Sequence, residues 1–257
     1  MTQSPEQTAS VDLQLPHDNE HILVLYASQT GNSEQAAKDV CLELPSKLPG
    51  VTCSHMQLDD FLELKECAWT PFVIIISSSY GVGQAPLGGY RFRDFCDSIL
   101  LQTQTTAVDS TSDTKLMLKG LSFALLGLGD SKYTTYFQNP TTIHNAMTQA
   151  GATLVGMLGK ADASGDQLKA ISDWIHGLWT PLQTALRTAP PVPSERLLEM
   201  QQATQSICRN KDPTFLPLPL LDNGITSVLV WLLLPLVMAF LAIASAIVCR
   251  SARADLS

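Results

Sequence analysis

The chain has 257 residues, a formal net charge of −8, 45% hydrophobic residues and only 16% charged ones. It is too apolar for a disordered acidic tail and too acidic for a protein that grips nucleic acid through phosphate contacts. Its length allows one or two domains with a real core. All of the net negative charge falls in residues 1–187, and residues 188–257 sum to zero. That makes the first part attractive to a partner with a basic face. Cys41, Cys53, Cys67, Cys96, Cys208 and Cys249 contain no C-x-x-C spacing. Reduced thiols in a cytosolic compartment are expected, without a metal site or a redox dithiol.

Residues 1–20 are polar, with Pro5 and Pro16, and lack the basic start and apolar core of a secretory signal. They read as a disordered arm. From 21 to 187 the pattern repeats strand, loop and helix. Apolar runs at Ile22–Tyr26, Phe72–Ser77, Phe123–Leu126 and Leu154–Leu158 read as strands buried on both faces, with a weaker one at Val51–Gln57. Helices are predicted at Ser33–Leu44, Asp60–Lys65, Tyr90–Leu101, Thr141–Ala150 and Asp166–Leu186. The alternation predicts an α/β, doubly wound domain of five strands. Asp59, Asp60, Glu63 and Glu66 read as a solvated acidic face on the second helix, with a docking patch as the alternative. The polar stretch Gln102–Asp113 reads as a surface insertion.

Residues 188–224 contain six prolines and read as a Pro-rich linker with one short helix at Ser194–Cys208. Ile225–Cys249 spans 25 residues without a charge. At about 1.5 Å per residue, such a helix covers a hydrocarbon core of about 30 Å. Residues 250–257 form a short tail. The expectation is a single-pass C-terminal transmembrane helix, a tail anchor in the lipid bilayer. The soluble domain would then face the cytosol at the endoplasmic reticulum or the mitochondrial outer membrane.

In doubly wound sheets, ligands bind beyond the carboxyl ends of the strands. Three such loops stand out. Ser28-Gln29-Thr30-Gly31-Asn32-Ser33 runs straight into a helix, so its hydroxyls and backbone N–H groups meet the positive end of the helix dipole and suit a phosphate. An ordinary helix cap reads the same way. The loop has no lysine and no Gly-rich triphosphate motif. After the third strand comes Ser77-Ser78-Ser79-Tyr80-Gly81-Val82-Gly83-Gln84-Ala85-Pro86. After the fourth comes the run Leu126 to Phe137. Both combine glycines with a tyrosine, and two tyrosines on adjacent strand ends could clamp a planar ring.

The run Phe123-Ala124-Leu125-Leu126-Gly127-Leu128-Gly129-Asp130-Ser131 with Tyr133, then Gly159–Asp162 and Trp174–Trp179, resembles the flavodoxin-type FMN domains of diflavin reductases, most of all those of methionine synthase reductases. The likeness covers about residues 21–186. It implies a flavodoxin-like parallel sheet in the order 2-1-3-4-5, with FMN as cofactor. By position, Ser28, Gln29, Thr30, Gly31, Asn32 and Ser33 would hold the FMN phosphate. Ser78, Ser79, Tyr80 and Gly81 would line one side of the ring. Leu128, Gly129, Asp130, Ser131, Lys132 and Tyr133 would line the other. Phe137 or Tyr136 would take the family's phenylalanine place, because one extra residue precedes Phe137. Asp162 falls where the family carries an acid near the flavin. The family's second-loop acids are replaced by Val82, Gln84 and Leu87, and its first proline by Ala85. Less negative charge beside the ring makes the reduced, anionic flavin easier to form.

The resemblance implies a membrane-anchored carrier of single electrons. A separate NAD(P)H-dependent reductase would be the donor and a membrane redox protein the acceptor, because the chain is too short for its own FAD and NADPH modules. Two alternatives stay open: an FMN-dependent NAD(P)H–quinone reductase, and a flavin-free membrane adaptor with the same fold. Neither a catalytic triad, nor a metal site, nor a nucleic-acid partner is expected.

Overall fold

A computed structural model of the chain describes residues 20–63, 69–105 and 116–209. The most apolar runs become the central strands. In chain order the elements are β1 (His21–Ala27), α1 (Asn32–Lys47), β2 (Thr52–Gln57), α2 (Leu58–Glu63), β3 (Phe72–Ser78), α3 (Tyr90–Thr105), β4 (Ser122–Gly129), α4 (Gln138–Gln149), β5 (Thr153–Leu154), β6 (Gly159–Asp162), α5 (Gln167–Thr188) and α6 (Ser194–Arg209). The strands pair in parallel in the order β2-β1-β3-β4-β5, with β6 also beside β4.

Strand side chains alternate between faces, so each central strand feeds two cores. Leu23, Leu25, Val73, Ile75, Phe123 and Leu125 pack with α3 and α4 residues such as Phe95, Ile99 and Ile143. Ile22, Val24, Ile74, Ile76, Ala124 and Leu126 pack with Ala37, Val40 and Leu44 of α1 and with Ile175, Leu178 and Leu182 of α5. Burial on both faces explains why β1, β3 and β4 read as unbroken apolar runs.

The fifth strand departs from the expected Leu154–Leu158. Between the pairs Phe123↔Leu154 and Leu126↔Gly159, β4 advances three residues while its partner advances five. Gly156, at φ +71 and packed against Pro181, turns the chain out of the extended conformation between β5 and β6. The second helix carries only part of the expected acidic face. Asp59 turns inward and accepts the Tyr90 and Phe92 amides at 3.0 Å each, so it caps α3. Burial pushes its carboxyl above the usual range, against the pull of these hydrogen bonds.

From Thr188 to Arg209 the chain stays packed on the domain. Residues 194–209 form α6, with Met200 and Thr204 fully buried. Trp69 Nε1 donates to Thr204 Oγ1 at 3.2 Å, and Arg196 Nη2 donates to the carbonyls of Leu116 and Met117 at 2.7 and 3.0 Å. The packed part therefore runs to Arg209. Among the described residues, no helix is long and apolar enough to cross a membrane. The expected arm, the anchor Ile225–Cys249, the tail and the end of the linker lie outside the described residues.

Candidate functional site

The carboxyl ends of β1, β3 and β4 open into one cleft of about 400 Å³, lined by Ser28, Gln29, Thr30, Asn32, Ser33, Ser78, Ser79, Tyr80, Gly81, Leu128, Gly129, Asp130, Tyr133, Thr135, Tyr136, Ala163 and Gln167. The three loops singled out from the sequence therefore meet. Asp130 carries the only charge among these lining side chains, so one end of the cleft offers neutral hydroxyls and amides.

At that end, Gly31 precedes α1 with φ +94 and no side chain caps the helix. The positive φ suits glycine, which turns the strand into the helix. Ser28 Oγ accepts the Gly31 amide at 2.9 Å. Ser33 Oγ is buried, faces the cleft and has no hydrogen-bond partner. A buried hydroxyl without a partner, at an uncapped helix N-terminus, fits an anion with acceptor oxygens. Asn32 Nδ2 donates to Gln167 Oε1 at 2.9 Å. Gln167 Nε2 in turn donates to the carbonyls of Ala161 and Gly129 at 3.2 and 3.4 Å.

The opposite end is aromatic. Tyr80 and Tyr133 are largely exposed, at 48% and 64%, and Tyr136 is half-buried. The second loop folds back on itself through paired Tyr80 and Gln84 backbone bonds of 2.9 Å, with Gly81 and Gly83 at positive φ. Thr135 Oγ1 donates to the Gly81 carbonyl at 3.1 Å and ties the second loop to the third.

Five expected site residues do not line the cleft. The Gly31 amide is taken by Ser28. Ser131 N donates to Asp162 Oδ1 at 2.9 Å and Lys132 N to Asp130 Oδ1 at 3.0 Å. The Asp162 carboxylate anchors a turn, since it also accepts from Ser164 N at 2.9 Å. Hydrogen bonds from Ser131, by side chain and backbone, hold its carboxyl below the ordinary range. A hydrogen bond from Ser164 Oγ does the same for Asp130. Phe137 is buried under Gly127, and Tyr136 takes the place on the cleft wall. Thr135, Ala163 and Gln167 were not expected, and Tyr136 was expected only as the alternative to Phe137. The extra residue before Phe137 was the signal for Tyr136; Ala163 and Gln167, at the β6–α5 junction, are held there by hydrogen bonds, Ala163 N to the Gly129 carbonyl at 2.8 Å and Gln167 to Asn32.

A hydroxyl cradle at the first strand end, facing a tyrosine-walled slot at the next two, defines a mononucleotide-binding α/β domain. The flavodoxin family model matches residues 24–174, and the chain belongs to the flavodoxin family, whose cofactor is FMN. The chain is 32% identical to a bifunctional cytochrome P450/NADPH–P450 reductase of Bacillus cereus over 65% of this chain and 14% of that one. It is 33% identical to the NADPH–cytochrome P450 reductase of Saccharomyces cerevisiae over 56% and 19%. With human methionine synthase reductase the figures are 29%, 65% and 22%. The matched part thus spans less than a quarter of these relatives' length. The resemblance to methionine synthase reductase is shared with the P450 reductases.

Proposed function

We propose that the chain is a membrane-held FMN domain that carries electrons between a separate NAD(P)H-dependent reductase and a redox acceptor at the same membrane. The observation that carries the reading is the partnerless Ser33 hydroxyl at the α1 N-terminus, in a cleft also lined by three tyrosines. Ser33, Thr30 and the first amides of α1 would hold the phosphate. Tyr80 on one side and Tyr133 with Tyr136 on the other would hold the ring. Flavin supplies redox chemistry that takes electrons in pairs and releases them singly. The protein holds the ring, limits its contact with water and sets its potential. Diflavin reductases join such a domain to their own reductase modules. A domain of this kind accepts electrons from such a reductase, and we assign the donor to a separate protein. The charge-free run Ile225–Cys249 supports anchoring, with the domain facing the cytosol.

The full chain, purified in detergent, should be yellow and release one FMN on denaturation. Its FMN should be reduced slowly by NADPH alone and rapidly, in proportion to the FMN present, once a catalytic amount of a diflavin-type reductase is added. Colourless protein that takes up no FMN defeats the reading, and rapid NADPH oxidation without a reductase would favour the quinone-reductase alternative. Flotation with liposomes, lost when residues 225–249 are deleted, tests the anchor.

A further inference from the structure

Asn139, the second residue of α4, is fully buried and does not line the cleft, yet all its polar groups are committed. Its backbone N donates to Ser79 Oγ at 3.0 Å. Its Nδ2 donates to Ser77 Oγ and to the Ser78 carbonyl, each at 3.0 Å. Its Oδ1 accepts from Arg93 Nη1 at 3.2 Å. The same Arg93 nitrogen reaches the Gly83 carbonyl at 3.1 Å, and Arg93 Nε meets Asp97 at 2.9 Å. Two side chains from two helices thus grip the second loop where it leaves β3 and where it turns back.

An amide buried in an apolar layer costs free energy unless every partner is in place. An alanine or leucine would cap nothing but would bury without that cost. The network has a geometric product: it fixes Ser78 and Ser79 and, through the Gly83 carbonyl, the turn that carries Tyr80 and Gly81, and these four residues form one wall of the slot. We infer that Asn139 and Arg93 are positioning residues for the ring-facing wall, and so set how differently the domain holds oxidised and reduced FMN. This rests on the FMN reading above.

The test uses the full chain in detergent, with Asn139→Ala, Arg93→Met and Arg93→Lys. FMN dissociation is read by flavin fluorescence, the midpoint potential by spectroelectrochemistry and apoprotein stability by urea. Asn139→Ala and Arg93→Met should each raise the FMN dissociation constant about tenfold and move the potential. A tenfold difference between the two redox states appears as about 59 mV for one electron. Arg93→Lys keeps one donor and should restore part of both. Arg93 is at the network's edge, so its variants keep the test alive if Asn139→Ala does not fold. Lowered stability with the parent's FMN affinity and potential overturns the inference and leaves a structural role. Failure of the parent itself to bind FMN would overturn the underlying reading instead.

Discussion

The Phe137 ring lies against the bare Cα of Gly127: a methyl built on Gly127 would stand 2.3 Å from Phe137 Cε2 and 2.6 Å from Pro140 Cβ. Phe137 is also the only non-glycine residue at positive φ, +63, among the described residues. The buried ring holds this backbone turn, and the turn puts Tyr136 on the cleft wall. Gly127→Ala should therefore overpack the site and cost about 1–3 kcal/mol. In a domain of this size, each kcal/mol lowers Tm by roughly 2–4 °C. Gly177→Ala is the control: it lies inside α5 with open space around it and should raise Tm slightly in the same calorimetric scan.

Ser33→Ala separates binding from stability. The variant loses a hydroxyl that has no partner in the free protein, so the apoprotein should unfold at the same or a higher urea concentration. A hydrogen bond to a charged phosphate is worth about 1.5–3 kcal/mol, so FMN should bind roughly ten- to a hundredfold more weakly. Equal weakening of both would assign Ser33 to packing.

Asp162→Asn should show a pH-dependent cost. Its folded carboxyl is held below the unfolded value, so its contribution is fully present above about pH 4 and is lost as pH falls through the lowered value. The Tm gap between parent and variant should be widest at neutral pH and should close toward pH 2. A gap that widens on acidification would contradict the hydrogen bonds assigned to this carboxylate.

Ending the chain after Arg187 removes α6 and uncovers Trp69 and Met117. Such a fragment should unfold at lower urea and bind more hydrophobic dye than one ending at Arg209. Met200→Ala, at a fully buried position, should cost about 2–5 kcal/mol by itself.

The central sheet was legible because burial on both faces leaves a plain signal in Ile22–Tyr26, Phe72–Ser77 and Phe123–Leu126. β6 was not, because Gly159–Asp162 is short and polar at two positions and owes its pairing to β4. α6 was foreseen as a helix but not as part of the core. Six prolines dominate the composition of residues 188–224, and only tertiary contact shows that Met200 and Thr204 turn inward. In the site, loops were legible as loops because glycine and hydroxyl residues follow buried strands. Which residue of each loop faces the cleft depends on hydrogen bonds made far along the chain. Thus Asp162 and the Lys132 amide, both expected at the ligand, bond within their turns, while Gln167, which joins three segments, carried no local mark.

That glutamine has a consequence for fluctuations. Because Gln167 holds Asn32 on one side and the Gly129 and Ala161 carbonyls on the other, the start of α1 and the far ends of β4 and β6 share a single latch. Thermal opening at either edge has to break the same amide contacts, so these three segments should exchange their backbone hydrogens as one cooperative unit. A domain built this way loosens its cradle all at once instead of fraying loop by loop.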